Sequence, residues 1–158
     1  MDGGLEEAVA ERTLGSRAGK RTKSLDEAIG LVELPLITDG RGNLTFLEGG
    51  RHIPFQIARV YYLYDVPEGQ MRAGHAHYQL QQIMIACSGK FDLHLDNGAE
   101  RRIITMDRPN KGLLIKSLVW REIHGFSKGA VCLVLGSLPY SEADYIRDYQ
   151  TFLNLVRG

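Results

Sequence analysis

Residues Gly69–Gly89 read GQMRAGHAHYQLQQIMIACSG, and the reading of this stretch decides the fold. Two glycines bracket it. Between them polar and apolar residues first alternate and then give way to the apolar run Ile83–Cys87. Alternation with period two marks a half-buried strand, and a short apolar run between turn signals marks a buried one. On a strand His75 and His77 stand two apart and share a face, while Ala76 faces the other way. Two polar rings on one buried face need partners, which a polar pocket supplies more readily than a packed core. Gln82, across the strand pair, is expected to reach the same space.

Working outward, short β-like runs with turns between them continue on both sides. Gly30–Ile37, Leu44–Leu47 and Ile57–Val66 precede the stretch, separated by Asp39-Gly40-Arg41-Gly42-Asn43 and Gly49-Gly50. Phe91–Leu95 alternates cleanly and Asp96-Asn97-Gly98 closes it as a hairpin turn. Arg102–Met106, Leu113–Ile115, Val119–Ile123 and Val131–Ser137 complete the series. Only Ser141–Val156 has helical spacing, with Tyr145, Tyr149, Phe152 and Val156 on one face and Ser141 as its N-cap. Many short strands, tight turns and one terminal helix predict an all-β, double-sheet barrel of the jelly-roll or cupin class. Residues 1–28 are polar, mixed in charge and without aromatics. They are expected to be a flexible leader ahead of one domain at 29–158.

The 158 residues suffice for one domain of ordinary size. Nineteen Lys plus Arg balance nineteen Asp plus Glu, so the basic excess of a nucleic-acid binder is missing. The longest charge-free apolar stretch, Ala130–Tyr140, is far short of the roughly 20 residues of a membrane span. No apolar core follows the N-terminus as in a secretory signal. Cys87 and Cys132 lie in apolar runs and read as reduced thiols of a cytoplasmic protein.

The spacing Gly69-x5-His75-x-His77-x4-Gln82-x6-Gly89 resembles the first cupin signature at every position but one. The signature's metal-binding Glu is Gln82 here, a neutral and poorer ligand. After the turn Pro109-Asn110-Lys111-Gly112, where the second signature supplies a further His, come Leu113-Leu114-Ile115. A metal site wants three or four ligands, at least one anionic. Two imidazoles and an amide fall short, so neither metal nor other cofactor is expected. His94 is expected to be solvated, and His52 and His124 structural.

From about Ile37 to Phe152 the chain resembles one branch of the cupins, the nucleotide-sugar 3,4-ketoisomerases of the WxcM-like, C-terminal family. The matching residues are Ile53-Pro54-Phe55, Arg59–Asp65, Arg72 with His75-Ala76-His77, Pro109–Leu113, Trp120–Ser127 and Asp144–Tyr149. One departure sits at the site: the family's Arg-Gly-aromatic-His is here Arg72-Ala73-Gly74-His75. The resemblance implies conversion of dTDP-4-keto-6-deoxyglucose to a dTDP-3-keto-6-deoxyhexose in deoxyamino-sugar biosynthesis, without metal. It also implies a strand-exchanged homodimer. Removing a proton next to a ketone needs a base, and an imidazole of pKa near 6.5 suits. His77 is expected to be that base, with His75 positioning it or donating to an oxygen, and Tyr62 is the expected oxyanion donor or second acid. Arg72, Arg121, Arg41, Gln82 and Trp120 are expected to hold substrate, the arginines at diphosphate or oxyanion. The motif Asp144–Tyr149 reads as structural. The alternatives are a nucleotide-sugar 3,5-epimerase, a metal-dependent cupin and a non-catalytic sugar-binding cupin.

Overall fold

A computed structural model describes residues 23–158. The fold begins before the expected boundary at residue 28. Ser24 caps a single helical turn, α1 (Leu25–Ala28), through a capping box with Glu27, and buries Leu25 and Ala28 in the core. The first 22 residues of the expected leader lie outside the described residues.

Twelve strands follow: β1 (Ile29–Glu33), β2 (Leu36–Asp39), β3 (Gly42–Thr45), β4 (Arg59–Leu63), β5 (Arg72–His77), β6 (Gln82–Ser88), β7 (Phe91–Asp96), β8 (Arg101–Met106), β9 (Lys111–Ile115), β10 (Trp120–His124), β11 (Val131–Gly136) and β12 (Tyr145–Ile146). One sheet has the order β1-β9-β6-β11-β4 and the other β12-β5-β10-β7-β8, all pairs antiparallel. The hairpin β2–β3 stands apart. This is the expected all-β double-sheet architecture. The stretch that decided it crosses between sheets, because β5 belongs to one and β6 to the other.

Alternation builds the core. Met84, Ala86, Cys132 and Val134 from the first sheet face Phe91, Leu93, Leu95 and Ile123 from the second. The outer side of the first sheet (Ile83, Ile85, Leu133, Leu135) is covered by Leu47, Ile53, Phe55 and Ile57. The outer side of the second is covered by the terminal helix, α2 (Tyr149–Arg157), whose Phe152 meets Ala76, Trp120 and Ile146.

The tail departs from the expected continuous helix. A 3-10 turn at Glu142–Asp144 and the short β12 precede α2, whose N-cap is Asp148 and not Ser141. Pairing of Tyr145 with His77 and of Ile146 with Ala76 won over local helical spacing. That exchange brings residues 140–147 against the histidine strand.

Candidate active site

The two histidines are aimed by a bulge. Arg121 pairs with His75 and Glu122 with Ala73, so Gly74 is an extra residue in β5. Ala73 (φ 67°) and Gly74 (φ 80°) both adopt left-handed conformations, which glycine takes freely and alanine does not. Nothing but the Met71 thioether approaches the place of a Gly74 side chain, at 3.5 Å from the position of its Cβ. The Met71 side chain therefore packs beside the bulge.

His75 and His77 point inward as expected, their rings edge to face at 4.8 Å. They are not equivalent. His75 lines a cavity of about 530 Å³ together with Arg59, Tyr61, Met71, Arg72, Tyr140, Tyr145 and Arg147. His77 is fully buried behind it. Its Nδ1 lies 3.1 Å from Oδ2 of Asp144, and the same carboxylate accepts the backbone N–H of Gln79 (2.8 Å) and Leu80 (3.2 Å). The ring of Tyr145 packs on both imidazoles, at 4.8 and 4.4 Å, and Arg147 lies over its face at 4.3 Å. His75 thus forms the cavity wall, and His77, the base expected from the sequence, lies behind it.

Burial sets the charge state. Desolvation, followed by the nearby Arg121 guanidinium, pushes His75 down to about 3 and His77 down to about 2. Both rings are neutral at physiological pH. His75 Nδ1 and His77 Nε2 are buried without a hydrogen-bond partner among the described residues.

Arg121 is fully buried and donates to Gln82 Oε1 (2.7 Å) and, through Nε and Nη2, to the carbonyl of Val119 (3.2 and 2.9 Å). Gln82 Nε2 in turn donates to the Tyr61 hydroxyl at 3.0 Å. Neither Gln82 nor Arg121, both expected at the substrate, is among the residues that line the cavity. They stand one layer beneath it. The donor set also rejects a cupin metal. Two imidazoles and an amide oxygen already held by a guanidinium offer no anionic ligand, and the buried cation repels another.

Three further expectations are corrected. Tyr62 lies on the opposite face of β4 from Tyr61; it is 59 % exposed and lines an adjoining cavity of about 450 Å³ with Tyr64, Met71 and Arg72. Trp120 faces α2, with Tyr149 and Phe152 at 5.2 and 5.7 Å, on the far side of the sheet. Arg41 sits in the β2–β3 hairpin, exposed, paired with Asp39 at 2.6 Å, and does not line the histidine cavity. Arg72 lines both cavities.

Arg59, Tyr61, Asp144, Tyr145 and Arg147 were not singled out from the sequence, although each lies in a motif of the resemblance. Arg147 is already held by the Glu142 carboxylate, at 2.5 and 2.9 Å, but with Arg59 and Arg72 along its wall and no carboxylate among its lining residues the cavity suits an anionic ligand.

The family model described as FdtA: WxcM-like, C-terminal matches residues 27–157. A TDP-4-oxo-6-deoxy-alpha-D-glucose-3,4-oxoisomerase from Aneurinibacillus thermoaerophilus is 40% identical over 126 residues, 80% of this chain and 91% of that protein. QdtA, a sugar 3,4-ketoisomerase from Thermoanaerobacterium thermosaccharolyticum solved in complex with TDP, superposes with a TM-score of 0.81 at 40% identity, over 82% of this chain and 94% of QdtA. A 3,4-ketoisomerase from Helicobacter canadensis gives 0.80 at 41% identity, over 82% of this chain and 98% of that one. The barrel, the paired inward histidines and the matched span agree: this chain belongs to the WxcM-like, C-terminal family.

Proposed function

We propose that the chain is a sugar 3,4-ketoisomerase that converts a TDP-4-keto-6-deoxyhexose to its 3-keto isomer, with His75 as the base. The observation that carries this reading is the neutral imidazole of His75 on the wall of a cavity flanked by three guanidiniums. Arg59 and Arg72 suit the diphosphate, and relatives of this chain act on or bind TDP-sugars.

The chemistry balances within the substrate. His75 takes the proton on C3, and the electron pair left behind forms the C3–C4 double bond while O4 becomes an oxyanion. The O3 proton passes to O4. C4 then recovers a proton as the C3 carbonyl closes. Positioned proton transfer contributes about 10² to 10⁴ in rate. Tyr61 takes the donor role expected of Tyr62, because it is the β4 tyrosine whose ring lines this cavity. His77, held by Asp144, packs edge-on behind His75 and fixes its ring. No step passes through a metal.

We also propose a homodimer. The apolar residues Leu36, Ile37, Leu44, Phe46 and Val60, together with Tyr62, are exposed in this chain, and a second copy would cover them. Sedimentation at micromolar concentration should give twice the chain mass.

The isomerase reading is tested by incubating EDTA-treated protein with TDP-4-keto-6-deoxyglucose in D2O and following proton NMR. A 3-keto sugar carrying deuterium at C4 is expected. Exchange at C5 would indicate the 3,5-epimerase, and loss of turnover on EDTA treatment a metal enzyme.

A further inference from the structure

We propose that Gln82 is a positioning residue: its amide, locked by Arg121, aims the Tyr61 hydroxyl into the cavity as a donor to the oxyanion. The proposal rests on the isomerase reading and follows from counting donors and acceptors. A guanidinium has donors only, so the Gln82 atom facing Arg121 must be the carbonyl oxygen. The amide nitrogen is then the atom that meets Tyr61, and it too can only donate. Tyr61 therefore accepts from Gln82, and its single hydrogen has to point elsewhere. Its ring lines the cavity beside His75, and no described residue accepts from the hydroxyl. What is left for that hydrogen is the cavity, where an oxyanion would lie.

Arg121 supports the arrangement in two ways. Its Nε and Nη2 are tied to the Val119 carbonyl, so the donor facing Gln82 cannot swing away. It is fully buried with no carboxylate within ion-pair distance among the described residues, so its charge polarises the amide and the phenol beyond it. This gives a physical reason for Gln where other cupins carry Glu. A carboxylate at 82 would pair with Arg121 and, having acceptors only, would take the Tyr61 hydrogen for itself. The phenol would turn its back on the cavity.

The test is the near-isosteric Gln82→Glu, beside Tyr61→Phe and the double variant. Removing one such donor costs about 10² to 10³ in kcat. Gln82→Glu and Tyr61→Phe are each expected to lose that much with KM for TDP-4-keto-6-deoxyglucose and affinity for TDP within about threefold, since neither change touches the arginines of the cavity wall. The double variant should be no slower than the worse single, because both remove one interaction. Gln82→Glu with kcat within threefold of wild type would overturn the proposal, as would losses that multiply.

A second readout needs no turnover. In protein carrying tyrosine labelled with carbon-13 at the ζ position, Tyr61 should titrate at higher pH in Gln82→Glu than in wild type, because a carboxylate accepting the phenolic proton holds it on. An unchanged or lower midpoint would contradict the assigned hydroxyl direction. Should the wild type fail to isomerise the sugar while this shift appears, the reading of the substrate is wrong and the orientation stands.

Discussion

One sheet of this barrel carries two histidine pairs on opposite faces, and the contrast between them explains where the chemistry sits. His75 and His77 face inward at 4.8 Å; His94 and His124 face outward at 4.3 Å. Neighbours on β10 supply opposite company. Burial, helped by Arg121 pointing in, holds the inner imidazoles neutral, while Glu122 points out and bonds His124 at 2.8 Å. The inner pair has a carboxylate behind it, a tyrosine packed over it and a cavity of about 530 Å³ walled by arginines beside it. The outer pair is half-buried, and His94 lines a cavity of about 470 Å³ with Trp120, Glu122 and Tyr149. Residue type therefore does not make a site here. Face does, because alternation decides whether an imidazole meets water or a buried cation.

The comparison can be broken first at Asp144. Asp144→Asn, with its oxygen kept on the Gln79 amide, turns an NH2 toward both His77 Nδ1 and the Leu80 amide, which favours the wrong tautomer and costs one backbone hydrogen bond. A fall of about 10 to 100-fold in kcat is expected, with KM nearly unchanged and His77 Nδ1 changing from protonated to unprotonated in nitrogen-15 NMR. Unchanged kcat would reduce the dyad to a structural contact.

Acid stability sharpens the difference. The folded pKa values of His75 and His77, about 3 and 2, lie below the unfolded value near 6.5. Between these limits the unfolded chain binds more protons, so their contribution is complete above pH 6.5 and is lost as pH falls. The urea midpoint should drop between pH 7 and pH 5, and drop less in His75→Gln. An equal slope in that variant would contradict the burial argument.

The smallest effect belongs to the outer pair. His94→Ala and His124→Ala should leave kcat and KM within about twofold, because neither residue lines the histidine cavity. A tenfold loss from either would mean that the outer cavity takes part in the reaction.

The sequence made the histidine pair legible because spacing of two fixes a shared face whatever the strand's register. Tyr61 and Tyr62 were not separable in the same way: adjacent residues occupy opposite faces, and the choice depends on Tyr61 pairing with Val134 across β11, a contact 73 residues away. Trp120 and Arg121 pose the same problem, and the larger aromatic went to the helix-covered face. Helical spacing in the tail overstated the helix, since its first third is claimed by pairing with β5. Gln82 was expected at the substrate, and its oxygen faces a guanidinium instead. Its place beneath the cavity follows only from Arg121 arriving on another strand.

The central claim is that His75, and not His77, meets the substrate. The most direct test compares His75→Asn with His77→Asn, following deuterium uptake from D2O into TDP-4-keto-6-deoxyglucose and its product. His75→Asn should lose at least about 10³ of the exchange rate, in line with removal of the positioned base, while His77→Asn exchanges slowly but measurably. Exchange that survives in His75→Asn and vanishes in His77→Asn would reverse the assignment.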